Sequence, residues 1–236
     1  MVFNSTIKKH SVFSCLYFLI VIANVLIQLL DMDVVKILAV PLIGITLIFY
    51  FIISTKLKGN FNKRIFVSLV LALAADVQFL FSNDGGIFLA AAIAAASLGY
   101  IVYGITFYFD YKHNLSLYTK DAKQVFLCIS AVSILYYLFI RGELGDYKIP
   151  VMIHVFILSF LPMLAACRYN RVNLLSYQLI MAGSVCFVIS DYSLGYTNFV
   201  APHKGLSVLF IVTYTLAQYF IVIGAIERRL RRKLQG

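Results

Sequence analysis

Charge is scarce in this 236-residue chain: 13% of its residues are Asp, Glu, Lys or Arg, and only ten are acidic. With 62% apolar residues and a mean hydropathy of +0.91, that scarcity excludes a soluble globular domain, in which about half the residues are apolar. Cysteine is sparse too. Cys15, Cys128, Cys167 and Cys186 form no CxxC pair and lie in or at the ends of apolar runs. They read as small packing residues, not as disulfides or metal ligands. The four histidines are scattered, which argues against a zinc hydrolase: the threading below puts His10 and His113 on one side of the membrane and His203 on the other, and no three converge with His154. No metal or other cofactor is expected. Only four prolines occur, and no pair of spans is broken by Gly and Pro as in transporters built from half-helices. Linkers and low-complexity tracts are missing; the longest connection covers about residues 111–122. One transmembrane bundle over residues 1–236 is the expected organisation.

What is present is a series of apolar runs, each near the ~20 residues that a membrane helix needs. Eight spans are expected, at about residues 12–30, 35–54, 65–82, 86–109, 123–140, 149–168, 174–196 and 205–226. The fold class is therefore all-α, a polytopic bundle of eight transmembrane helices. Lipid offers the backbone no partners, so helices satisfy every amide, and the runs lack the alternation of barrel strands. Lys8 and Lys9 precede an apolar run longer than a signal-peptide core, with no small-residue cleavage site.

The net charge of +10 raises the question of nucleic acid, and its distribution answers it. With the N-terminus in the cytoplasm and eight spans threaded, 16 of the 20 basic residues fall inside; Lys36, Arg141, Lys148 and Lys204 fall outside. This positive-inside pattern places both termini in the cytoplasm, and a bacterial inner membrane is the expected location. The partner is the bilayer, with no nucleic acid and no protein partner indicated. The ERRLRRK tail reads either as a basic anchor for anionic lipid or as a stop signal after the last span. The same threading puts Asp110, Asp121 and Glu227 inside, and Asp31, Asp33, Asp84, Glu143 and Asp146 outside.

Two acids are left in the membrane. Asp76 lies in VSLVLALAADVQFLF and Asp191 in AGSVCFVISDYSLGY. An ionisable group at that depth is costly and marks function by default. A faint repeat relates the two segments: at an offset of 115 residues, Phe79, Phe81, Ser82 and Asn83 match Leu194, Tyr196, Thr197 and Asn198. An offset of four spans gives both helices one orientation. Both acids then sit about 10 Å of helical rise before the outer end and can share a cavity. Two adjacent carboxyls cannot both ionise cheaply, which yields one proton-bearing acid and one carboxylate. That division suits acid-assisted cleavage through an oxocarbenium ion, without a metal or a nucleophilic Ser or Cys. Two other readings stand beside it: pairing of each acid with a Tyr, Ser or Lys for structure alone, and a proton pathway in a transporter of a small amphiphile.

Several polar groups lie within or near the spans. Lys36 opens the second span and either binds a phosphate or snorkels to the interface. Tyr100 and Tyr103 lie in the fourth span. Tyr214 and Gln218 are one turn apart on one face of the eighth. Ser190 adjoins Asp191 but faces another direction. The AAAIAAAS run of the fourth span lets helices approach closely.

The segment KILAVP (residues 36–41), the LALAADVQFLF stretch, GSVCFVISD (residues 183–191) and the final TYTLAQYFIVIG helix resemble, in order, motifs of the YhhN-type lysoplasmalogenase family of eight-span membrane proteins. The resemblance implies hydrolysis of the vinyl ether bond of a lysophospholipid substrate, releasing a fatty aldehyde and a glycerophospho-ethanolamine or -choline. It implies that Asp76 and Asp191 are the catalytic acids. It implies that Lys36, Tyr214 and Gln218 hold the phosphate end or orient the acids; Tyr100, Tyr103 and Ser190 are further substrate-binding candidates from their places in the spans. The chain departs from the pattern at three places: Tyr100 stands where the family often has His, His154 where a Tyr is expected, and Ala75 where Gly is usual.

Overall fold

The computed structural model describes the backbone of residues 2–30, 32–82, 86–112 and 120–231, and the side chains of 10–30, 32, 35–82, 86–112 and 122–231. Of the groups placed above, Asp31, Asn83, Asp84, His113, Arg232 and Lys233 lie outside the described residues, as do the side chains of Lys8, Lys9, Asp33, Lys120 and Asp121.

Eight long helices follow one another: α1 (Val2–Leu29), α2 (Asp33–Thr55), α3 (Gly59–Leu80), α4 (Gly86–Lys112), α5 (Lys120–Ile140), α6 (Lys148–Ala166), α7 (Leu174–Phe199) and α8 (Lys204–Ile226). Two 3₁₀ turns, Arg141–Glu143 and Gly145–Tyr147, join α5 to α6. Among the described residues there is no strand, only an isolated antiparallel bridge from Val172 to Leu230. Seven of the helices are long and apolar enough to cross a membrane, which makes this an integral, multi-pass membrane protein.

The expected count of eight spans is thereby corrected to seven. The exception is α3. Its 22 residues rise about 33 Å, a sufficient length. Its composition sets it apart, because Lys63 and Arg64 open it and Asp76 lies within it. It packs between α2 and α4. Large apolar side chains stay exposed around the bundle, among them Leu38, Phe49, Leu135 and Phe139. Water does not tolerate an apolar surface of that extent; hydrocarbon does.

Short connections make sequence neighbours antiparallel. The tightest is Lys56–Lys58, where Lys56 and Leu57 take left-handed backbone angles (φ 49° and 50°) and the Lys56 N–H donates back to the Ile52 carbonyl. The closest helix pair is α7 with α8. A Cβ on Gly183 would stand 2.9 Å from the Ala217 carbonyl oxygen, and one on Gly224 would stand 2.8 Å from Ile180. Small residues at these two crossings let the backbones meet, as is usual where helices pack in lipid. The alanine-rich stretch of α4 lies on α3, with Gly99 against Ser68, Leu71 and Ala72.

The bundle has two unlike ends. At one end, here called the basic end, lie the start of α1, the tail after α8, and Lys56, Lys58, Lys63, Arg64, Arg168, Arg171 and Arg228. Asp110 is wholly buried there. It accepts from Arg168 Nε at 3.0 Å and from Arg228 Nε at 2.9 Å. Arg168 also donates to the Ser176 hydroxyl at 3.0 Å, and Ser176 donates to the Gly224 carbonyl at 2.6 Å. Burial lowers the Arg168 guanidinium to about 10, with Asp110 opposing the shift, so it remains charged at neutral pH. The main apolar core, including Tyr17, Leu47, Phe51, Ile65, Phe107 and Leu161, fills this half of the bundle. The opposite half is hollow.

Candidate functional site

The hollow is a cavity of about 730 Å³ to which all eight helices contribute. Its floor is set by Ile43, Ser68 and Gln218, and it reaches the far end of the bundle at Gln28, Ser82, Asn198 and Pro202. The walls are largely apolar, with Phe79, Leu89, Ile93, Val151, Phe187 and Phe210. Its size and character match a pocket for a small amphiphile.

Asp76 from α3 and Asp191 from α7 both line it. Each acid sits in an apolar helix, and each has what exposed surface it has inside the bundle; the Asp191 side chain is 12% exposed. The two carboxyls are near enough for their charges to interact. Oδ2 of Asp191 receives the Tyr100 hydroxyl at 2.9 Å and faces His154 Nε2 at 2.9 Å. The hydroxyl of Tyr214 stands beside the Asp76 carboxyl. Tyr214 in turn accepts from Gln218 Nε2 at 3.2 Å, and Gln218 Oε1 accepts from Tyr103 at 3.1 Å. The one-turn spacing of Tyr214 and Gln218 places both on the cavity face of α8, as the sequence predicts.

Of the residues singled out from the sequence, Lys36, Asp76, Tyr100, Tyr103, Asp191, Tyr214 and Gln218 are thus brought together on one cavity. Lys36 lines it from the first turn of α2, partly buried. Ser190 is not among the wall residues. It is fully buried, and its hydroxyl reaches Asp191 Oδ1 only at 3.4 Å, because adjacent residues on a helix point in different directions.

Sequence reasoning missed His154, weighing histidines only as metal ligands. Its Nδ1 lies 2.8 Å from the Ser97 hydroxyl, which itself donates to the Ile93 carbonyl at 2.7 Å. The signal was an ionisable side chain within an apolar run, the same signal that singled out the two acids. Ser97, His154 and Asp191 resemble an acyl-transfer triad in their contacts. The serine, however, is buried and does not line the cavity, so it supports the imidazole and is not a nucleophile. Asn24 and Gln28 of α1 were also missed; both line the cavity. Tyr136 closes one side, stacked on Tyr192 with ring centroids 4.0 Å apart, and donates to the Tyr192 carbonyl at 2.9 Å. It fits because position 195 is glycine: a Cβ there would lie 2.3 Å from its hydroxyl.

The arrangement sets two carboxyls on the wall of one largely apolar cavity. A phenol and an imidazole meet Asp191, a phenol held by Gln218 stands beside Asp76, and the volume left admits water. No curated protein and no solved structure matches this chain. A family model does, over residues 33–225, and the chain belongs to the YhhN family.

Proposed function

We propose that this protein is a membrane hydrolase that cleaves the vinyl ether bond of lysoplasmalogens to a fatty aldehyde and a glycerophospho-base. The observation that carries the reading is the meeting of Asp76 and Asp191, 115 residues apart in the chain, on the walls of one apolar cavity. Family membership supports it, as does the polarity of the cavity. The aliphatic chain lies along the apolar walls, and the phosphate lies toward Lys36, Asn24 and Gln28, the cationic and amide side chains that line one part of the cavity.

The chemistry needs no group beyond these side chains and water. One carboxyl delivers its proton to the vinyl carbon distal to the ether oxygen, and the carbon bonded to that oxygen becomes an oxocarbenium ion. The other carboxylate stabilises the cation and takes a proton from the water that adds to it. In the resulting hemiacetal the hydroxyl proton returns to the first carboxyl. The carbon–oxygen bond breaks, and the glycerol oxygen takes the proton held by the second. Both acids end as they began.

The test is aldehyde release from a lysoplasmalogen by purified protein in detergent micelles. Asp76→Asn and Asp191→Asn are each expected to lower turnover at least about 100-fold while the protein still inserts and elutes normally. Undiminished turnover in either variant defeats the acid pair. A proton-linked transporter, the competing class, has no gradient to use in micelles and makes no aldehyde. We also place the basic end, where α1 begins and the tail follows α8, in the cytoplasm of a bacterial cell; α3, too polar to count among the seven apolar spans, still runs the depth of the bundle between α2 and α4, and the cavity opens toward the outer side of the cytoplasmic membrane.

A further inference from the structure

The two acids are not equivalently held, and the difference comes from one residue. At Asp191 two groups converge on a single oxygen: the Tyr100 hydroxyl, donating at 2.9 Å, and the His154 imidazole nitrogen, 2.9 Å away. The imidazole is itself fixed from behind by Ser97 at 2.8 Å. An oxygen that takes two donors, one from a ring able to carry positive charge, suits an ionised carboxylate. The second oxygen, Oδ1, has only the long 3.4 Å approach of Ser190, which leaves it open to water. At Asp76 the polar neighbour is a single neutral phenol, Tyr214, and the neighbouring walls are apolar: Phe79, Ala72 and Ala75. That setting suits a neutral carboxylic acid.

From this asymmetry we propose that His154 is a positioning residue that divides the labour between the two carboxyls: it holds Asp191 ionised, as the base for water, and so leaves Asp76 as the proton donor. The assignment deepens the hydrolase reading and rests on it for the reaction, but the protonation states it specifies exist with or without substrate. The titratable groups that line the cavity with His154 are Lys36 on α2, Asp76 on α3, Tyr100 and Tyr103 on α4, Tyr136 on α5, Asp191 and Tyr192 on α7, and Tyr214 on α8. His154 itself lies on α6, and Asp191 is the acid it touches. The proton balance is closed: Asp76 loses its proton to the vinyl carbon, Asp191 gains one from water at Oδ1, and collapse of the hemiacetal reverses both.

Infrared spectroscopy of the purified protein at neutral pH reads the assignment directly through the carbonyl stretch of a neutral carboxyl. The expected spectrum has such a band that disappears in Asp76→Asn and persists in Asp191→Asn. His154→Leu, which keeps bulk but has no donor, is expected to gain a second band, and the added Asp191→Asn change is expected to remove it. His154→Gln keeps an N–H donor and gains none. In the aldehyde assay His154→Leu is expected to lose about 100-fold in kcat with KM changed less than about twofold; His154→Gln recovers most of the loss. A band that disappears in Asp191→Asn instead overturns the assignment, and so does full activity of His154→Leu. If the wild-type protein releases no aldehyde while the bands behave as stated, the hydrolase reading fails and the division of protons stands. If aldehyde is released and the bands are reversed, the hydrolase stands and the role of His154 falls.

Discussion

Tyr214 shows how far a single side chain commits its surroundings. Its hydroxyl stands beside Asp76 and accepts from Gln218, and Gln218 is held from its other end by Tyr103. Tyr214→Phe removes the oxygen and leaves a carboxyl and an amide N–H each short of a partner in a low-dielectric site. A lost partner there costs about 1–3 kcal/mol, which in a barrier corresponds to roughly 5–150-fold. We expect kcat for aldehyde release to fall by that factor, and Tyr103→Phe, two hydrogen bonds further from the acid, to cost less. Steady-state kinetics of both variants check the order, and equal losses would show that the chain does not transmit orientation. Most of this network is legible in the sequence, because polar groups inside long apolar runs are rare enough to be noticed one by one. His154 is equally rare, yet its partners lie 37 and 57 residues away. No spacing rule connects them. Ser190 misleads in the opposite way: it is adjacent to Asp191 in the chain and turned away from the cavity in space.

Among the elements, hydropathy locates helices well and their ends less well. The apolar run at about 12–30 belongs to a helix that begins at Val2, and the one at about 65–82 to a helix that begins at Gly59. Hydropathy reports which residues suit lipid, whereas a helix continues through polar residues as long as its backbone bonds are made. The same difference explains α3, which is long enough to cross but carries Lys63, Arg64 and Asp76. How the elements are clasped at the basic end is invisible in the sequence. Asp110 on α4 joins Arg168, which follows α6, to Arg228, which follows α8. Arg168 and Asp110 are both 0% exposed, whereas the Arg228 side chain is 20% exposed. Removing the acid strands a buried cation, at a cost of about 3–5 kcal/mol. Removing Arg228 leaves the Arg168 pair intact. Asp110→Ala is therefore expected to lower the midpoint of thermal aggregation in detergent far more than Arg228→Ala. A reversed order would mean that the outer arginine carries the clasp.

At the scale of the whole molecule, one half is packed and the other hollow. The packed half lies at the basic end, and the hollow half opens away from it. If basic residues face the cytoplasm, a membrane-impermeant thiol reagent added to intact cells should label a cysteine placed at Asn198 or Lys204, on the cavity side. It should label one placed at Lys56 only after permeabilisation. The background for this experiment is a variant lacking the four native cysteines. Labelling at Lys56 in intact cells would invert the orientation and turn the cavity mouth inward. The first helix belongs to this whole although all of it precedes the family match at residues 33–225. It supplies Asn24 and Gln28 to the cavity and is tied to α8 by His10 with Glu227 at 2.9 Å and by Tyr17 with the Thr215 carbonyl at 2.9 Å.

By itself the amino-acid order determined that the chain is helical, that it lives in lipid, and that two acids stand where acids are costly. These are local properties: each follows from what a stretch of about 20 residues can expose to hydrocarbon. Only the tertiary structure decided that the acids line one cavity and that a histidine holds one of them and not the other. Those outcomes depend on how far each helix is rotated about its axis, and rotation is set by contacts such as Gly183 against Ala217. They are made between residues distant in the chain and leave no periodic trace along it.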